Sequence, residues 1–165
     1  MPTQPIIDVL DKLIKLHKNL KQLAAEKMEA IKEPDLKRLG ILLTSEKAHL
    51  KAIEQLEEER RDHVRSFLKQ NGVAMDHEPT FEDCLAYANE TEKEILMDRR
   101  TNLKMEIEQL KQANSLNQQL IYQSLQFVNM NLSLLLPEED TYTYERSGDS
   151  DLRNEGKLSI FDSKA

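Results

Sequence analysis

The sequence predicts an all-α fold: an elongated antiparallel helical bundle, or coiled-coil hairpin, of three long helices plus one short helix, followed by a flexible acidic C-terminal tail. Three observations carry this expectation. Helix breakers are scarce, since 165 residues hold only 4 Gly and 5 Pro, no Trp, and abundant Leu, Lys, Glu and Gln, a composition of helix formers. Apolar residues recur at three- and four-residue spacing over long windows, the period of a helix with one buried face. The few breakers fall between those windows. A chain of this length forms one domain with a modest core. The bundle is expected over residues 1–137, with helices at about 5–33, 35–70, 80–89 and 91–136, and the tail over 138–165.

The first helix follows from Ile6, Leu10, Leu13, Leu20, Leu23 and Ile31, with Val9 and Leu16 broadening the stripe and Pro5 suited to a first turn. Glu33-Pro34-Asp35 then breaks the chain, because proline removes a donor and disfavours helical geometry before it. A tight corner between antiparallel neighbours is expected there. In the second helix Leu36, Leu39, Leu43, Leu50, Ile53, Val64 and Phe67 keep a seven-residue rhythm, as in a coiled-coil seam. Glu46, Glu57 and Arg60 interrupt that seam, so its middle is wet or paired to polar groups of another helix. Asn71-Gly72 reads as a helix C-cap. Thr80-x-x-Asp83, before Phe81, Cys84, Leu85 and Tyr87, reads as a capped short helix that plugs the end of the bundle. Thr91-x-x-Glu94 offers a second capping signal, leaving open whether 81–136 is one kinked helix or two.

The last stretch organises the functional reading. Gln112–Pro137 carries no charge in a chain that is 32% charged. It is interspersed with Asn, Gln and Ser and has no long apolar run, which excludes a membrane span. On a helix, Ile121, Leu125, Val128, Leu132 and Leu135 share one stripe, continuing upstream through Leu110, Ile107, Leu103 and Leu96; this stripe is expected to face the core. A second stripe, Leu116, Leu120, Phe127 and Leu134 with Met130 at its edge, lies about 120° away. A helix with two apolar seams needs two neighbours. Either a larger bundle seals both, or a partner protein takes the second. The segment from Thr91 to Leu136 approaches about 70 Å at 1.5 Å per residue, so its end overhangs shorter partners and leaves the second seam bare. After Pro137 the chain turns polar and acidic without a period. Tyr142, Tyr144, Ile160 and Phe161 are stickier than a solubilising tail requires. They could cover the seam or form a short recognition motif; otherwise the tail is inert.

Other functions find little support. A net charge of −7 argues against nucleic acid, which needs a clustered basic face. Cys84 is alone, so no internal disulfide forms and a reducing compartment fits. The start, MPTQPIIDVLDK, has no basic leader before an apolar core, so a cytoplasmic protein without membrane insertion is expected. Glu46-x-x-His49 has the helical spacing of di-iron bundles, but that site needs two such motifs. His17, His63 and His77 lack the matching Glu, and surface histidine is the expected role of all four. No phosphate loop, nucleophile elbow or zinc motif occurs. No enzyme activity, cofactor, metal or catalytic residue is expected, and Cys84 is read as packing.

Taken together, certain residues resemble the FlgN-type flagellar export chaperones. The likeness rests on the leucine-patterned first helix, Glu46, Lys47 and Leu50 (E-K-x-x-L), Leu56, Glu57 and Arg60 (L-E-x-x-R), Asn114, Asn117 and Leu120 (N-x-x-N-x-x-L), and a tail with Tyr144 and Gly148. The resemblance implies a cytosolic, non-enzymatic holder of the hook-filament junction proteins (hook-associated proteins). It would prevent their premature assembly and deliver them to the export gate at the membrane for type III secretion. It also implies cargo binding by the C-terminal part of the chain, where the uncharged seam lies. Leu116, Leu120, Phe127, Met130 and Leu134 would then be the apolar anchors, with Tyr122 and Asn129 contacting the gate or the rim. The alternatives are an adaptor coiled coil that homodimerises through the same seam and, more remotely, a ferritin-like metal enzyme.

Overall fold

The structure, a computed structural model, describes residues 1–73 and 77–135. They form four helices and no strand: α1 (Gln4–Lys32), α2 (Leu36–Gln70), α3 (Phe81–Tyr87) and α4 (Glu90–Leu135). The fold is all-α, as its composition predicts. Helix α1 is the shared neighbour, packing along both α2 and α4. The corner after α1 makes α2 antiparallel to it, and α3 returns the chain so that α4 runs parallel to α1. That direction is fixed by cross-links in rising order. Thr3 meets Glu92, Asp11 pairs with Arg99 at 2.6 Å, Lys21 with Glu106 at 2.6 Å, and Asn117 donates to the Ala24 carbonyl at 2.8 Å.

Each helix end has a local chemical cause. Asp35 caps α2 by accepting from the Arg38 N–H at 2.9 Å. At the other end Gly72 takes φ 74°, its N–H donating to Lys69 and that of Val73 to Leu68, both at 3.1 Å. This paired closure needs the left-handed backbone that glycine adopts without a Cβ penalty. Thr80 and Asp83 form a reciprocal capping box on α3, and hydrogen bonds from the Thr80 hydroxyl and N–H hold the Asp83 carboxyl below its ordinary 3.8. The chain breaks at Ala88–Asn89, so 81–135 is two helices. The cap of α4 is Asn89 with Glu92, not Thr91 with Glu94: Asn89 Oδ1 accepts from the Glu92 N–H at 2.9 Å while Glu92 accepts from the Asn89 N–H at 3.3 Å.

The core concentrates at one end. Ile6, Ile7 and Leu10 of α1, Val64, Phe67 and Leu68 of α2, Cys84 of α3, Ala88, and Leu96 of α4 form a single buried cluster, with Phe81, Leu85, Ile95 and Leu103 packed against it. Helix α3 plugs this end, which we call the closed end. Glu92, 2% exposed, ties it together. Its carboxylate accepts from the Thr3 hydroxyl at 2.8 Å and the Thr3 N–H at 3.3 Å as well as from Asn89. Burial pushes the Glu92 carboxyl up, but those bonds and the N-terminal ammonium outweigh it and leave it below 4.5.

Two expectations fail here. His17 is buried, not on the surface; its Nδ1 bonds the Leu13 carbonyl at 2.8 Å, which satisfies the ring from within its own helix. The seven-residue seam of α2 holds only near Val64 and Phe67. Leu36, Leu43 and Leu50 are exposed, and between Leu36 and His63 only Leu42 is buried. The seam rotates away because Glu46 faces α1, where Lys27 Nζ donates to both carboxylate oxygens at 2.7 and 2.8 Å. Glu57 and Arg60 pair within α2 at 2.9 Å.

Candidate functional site

At about 1.5 Å per residue α4 is roughly 69 Å long and α1 roughly 44 Å. Because they start level, with Thr3 beside Glu92, α1 ends while α4 continues. Ile31, in its last turn, lines a groove with Ile121. Every residue from 121 to 135 is exposed except Asn131, which is half-buried. This is the open end of the bundle: an overhanging helix without charge.

The structure places the expected anchors on that overhang and its root. Leu116, Phe127, Met130 and Leu134 are exposed, Phe127 at 66% and Leu134 at 77%, while Leu120 is half-buried. Tyr122 and Asn129 are exposed as well. The first stripe does not behave as expected. Leu96 is fully buried and Leu103, Ile107 and Leu110 are half-buried, but Ile121, Leu125, Val128, Leu132 and Leu135 are as exposed as the second stripe. Periodicity says which residues share a face; it does not say where the neighbouring helix stops. Both seams are therefore bare beyond Leu120. Tyr142, Tyr144, Ile160 and Phe161 lie outside the described residues.

Two grooves flank the root of the overhang. One, of about 540 Å3, runs between Ile31, Lys32 and Pro34 at the corner and Leu120, Phe127 and Val128 of α4. The other, of about 290 Å3, opens between all three long helices and is lined by Ile31, Leu39, Leu43 and Ile121 together with Lys27, Glu46, Asn114 and Asn117. Asn117 is only 4% exposed. Its Oδ1 and that of Asn114 are shielded from solvent without a hydrogen-bond partner. Sequence reasoning noticed these asparagines only as part of a pattern. It missed Leu36, Leu43 and Leu50 as surface residues because their spacing resembles a buried seam.

Reactive chemistry is muted elsewhere. Burial, then the negative charge of Glu92, pushes the Cys84 thiol up to about 11, unfavourable for a nucleophile. Among the described residues no group of three or more His, Cys, Asp or Glu is placed to hold a metal ion. The Glu46 carboxylate is engaged by Lys27, and His49 Nδ1 bonds the Ser45 carbonyl at 2.8 Å. No helix of the described residues is long and apolar enough to cross a membrane.

A family model described as FlgN protein matches residues 1–151. The chain is 34% identical to Uncharacterized protein YvyG of Bacillus subtilis (strain 168), over all of both chains. No solved structure matches.

Proposed function

Since the chain belongs to the FlgN family of flagellar export chaperones, we propose that it holds hook-associated proteins in the cytoplasm, keeps them from assembling early and delivers them to the export gate. The observation that supports this most directly is the exposed, charge-free overhang of α4. A secreted subunit with apolar helical ends aggregates or assembles unless those ends are covered, and an apolar helix laid along another helix is a common way to cover them. Neutral Gln and Asn around the seam let it accept more than one client without burying an unpaired charge. The activity is binding, not catalysis.

Magnitudes say how much of the surface takes part. Burying a large apolar side chain contributes about 1.5–3 kcal/mol, and Leu116, Leu120, Phe127, Met130 and Leu134 are already partly covered. The five anchors thus contribute on the order of 4–8 kcal/mol, against an association cost of about 4–15 kcal/mol. The second seam alone does not suffice. Ile121, Leu125, Val128 and Leu132, bare on the adjacent stripe, belong to the same contact, and the client covers both seams. Tyr122 and Asn129 then sit on the rim, free to meet the gate.

Replacing Leu120 and Phe127 together with Asp tests this reading. Co-expressed hook-associated protein should no longer be retained, while the far-ultraviolet helical spectrum stays unchanged. Undiminished retention places the site elsewhere. Light scattering on the free chain distinguishes the adaptor alternative, a tight homodimer that refuses the client.

A further inference from the structure

The small groove at the root of the overhang contains a chemical anomaly. Asn117 donates through Nδ2 to the Ala24 carbonyl at 2.8 Å. A carbonyl only accepts, so the orientation of the amide is set and Oδ1 must point away. That oxygen is buried without a partner among the protein's own atoms, and so is Asn114 Oδ1 three residues earlier. Orphaned buried acceptors are costly and rare, and each calls for a physical explanation. Both residues line the same groove as Ile31, Leu39, Leu43 and Ile121. The groove therefore sets a pair of unused acceptors between apolar side chains and the polar Lys27, Glu46 and Gln118.

From this geometry, and resting on the reading that a client helix lies along α4, we infer that the groove receives a carboxamide side chain, Gln or Asn, projecting from that helix. The chemistry selects this class. Two acceptors need two donors, which a carboxamide NH2 supplies and a hydroxyl does not. The two asparagines lie one helical turn apart and line one groove, and the two diverging N–H bonds of one amide are able to reach two separate acceptors at hydrogen-bond distances of about 2.9 Å. A cation would also donate, but Glu46 is already neutralised by Lys27 at 2.7 and 2.8 Å, so its charge would be buried without a counter-charge. A carboxylate has nothing to donate. The amide oxygen of the incoming group finds a donor in Lys27 Nζ on the same wall.

The oxygens are covered in the free chain, so the walls must part to admit the group. The first half of α2 allows this because Leu42 is its only buried residue before Val64. A single polar pair inside an apolar helical contact sets register, as a buried Asn does in coiled coils. The apolar seams supply affinity, and the asparagines align the client.

The test uses the full chain with its co-expressed hook-associated protein, comparing the native chain, Asn114→Leu alone, and Asn114→Leu with Asn117→Leu. Native-like urea stability with about tenfold weaker client binding in the double variant is the expected result. Replacing one Gln or Asn on the client helix with Leu should weaken binding to the native chain and restore it to the variant. Asn114→Leu leaves the Asn117–Ala24 bond in place, so it answers the question if the double variant does not fold. Unchanged affinity in Asn114→Leu, or weakening that no client substitution rescues, overturns the proposal, with trapped water as the partner of both oxygens. A species of doubled mass without client overturns it in favour of a second copy of α4. If the native chain retains no client, the chaperone reading fails with it; if only Leu120→Asp with Phe127→Asp abolishes retention, that reading stands and this one falls.

Discussion

The two ends of this bundle are made from similar residues and reach opposite outcomes. At the closed end Leu96 is 0% exposed and Phe67 3%; at the open end Phe127 is 66% exposed and Leu134 77%. Neither hydrophobicity nor helical period separates them. The difference is the number of neighbours. The start of α1, the end of α2, α3 and the start of α4 converge on one cluster, whereas α4 outlasts α1 at the other end. A helix of 46 residues laid level with one of 29 must leave a free end, and residues 121–135 of that end carry no charge. Buried packing is concentrated at one end of the molecule, and on the proposed function the other end is left for recognition.

The largest effects that test this division come from truncating one apolar side chain at each end. Leu96→Ala should cost about 2–5 kcal/mol in urea unfolding, and Phe127→Ala should stay within about 0.5 kcal/mol of the native chain. Comparable losses from the two would mean that the overhang is packed in solution. Cys84 gives a second readout. It is buried with its thiol at about 11, so at pH 8 a disulfide reagent modifies it chiefly when the closed end opens. Leu96→Ala should speed labelling more than tenfold, and Phe127→Ala should leave it unchanged.

Glu92→Gln comes next, with an expected loss of about 1–3 kcal/mol at pH 7 from impaired hydrogen bonding in a buried site. The Glu92 carboxyl lies below 4.5 in the folded chain, so the unfolded chain takes up its proton first. Its contribution is therefore complete above about pH 4.5 and is lost as the pH falls through the folded value. Native and variant stabilities should converge in acid. A gap that persists unchanged at pH 3 would show that ionisation of Glu92 does not hold the closed end.

Much of this fold is legible in the sequence because its signals are local. The proline corner, Gly72 after Asn71, and the Thr80-x-x-Asp83 cap each act within a few residues, and each appears in the structure with the expected bonds. What stays hidden depends on alignment between distant segments. Ile121 and Val128 have the same spacing as Leu96 and Leu103, yet the former pair stays exposed while Leu96 is buried and Leu103 half-buried. Leu43 looks like seam and Leu42 like surface until Glu46 turns toward Lys27. Thr91 looks like a cap until Asn89 takes that place with Glu92. The orphaned oxygens of Asn114 and Asn117 are invisible to any pattern, because being unpartnered is a property of surroundings.

The smallest predicted effects have opposite signs at the two ends of α2. Gly40 and Gly72 are alike in that an added Cβ meets nothing within 4 Å at either, so sterics with neighbours do not decide the outcome. Backbone conformation does. Gly40 lies inside the weakly packed first half of α2, where alanine lowers the entropy cost of the helix and should stabilise by about 0.5–1 kcal/mol. Gly72 holds φ 74°, where an L side chain is strained, so alanine should destabilise by about 1 kcal/mol. Thermal unfolding of Gly40→Ala and Gly72→Ala should shift the midpoint in opposite directions by a few degrees. A loss from Gly40→Ala would mean that the first half of α2 is not a settled helix in the free chain, and the open end would then include α2 as well as the overhang of α4.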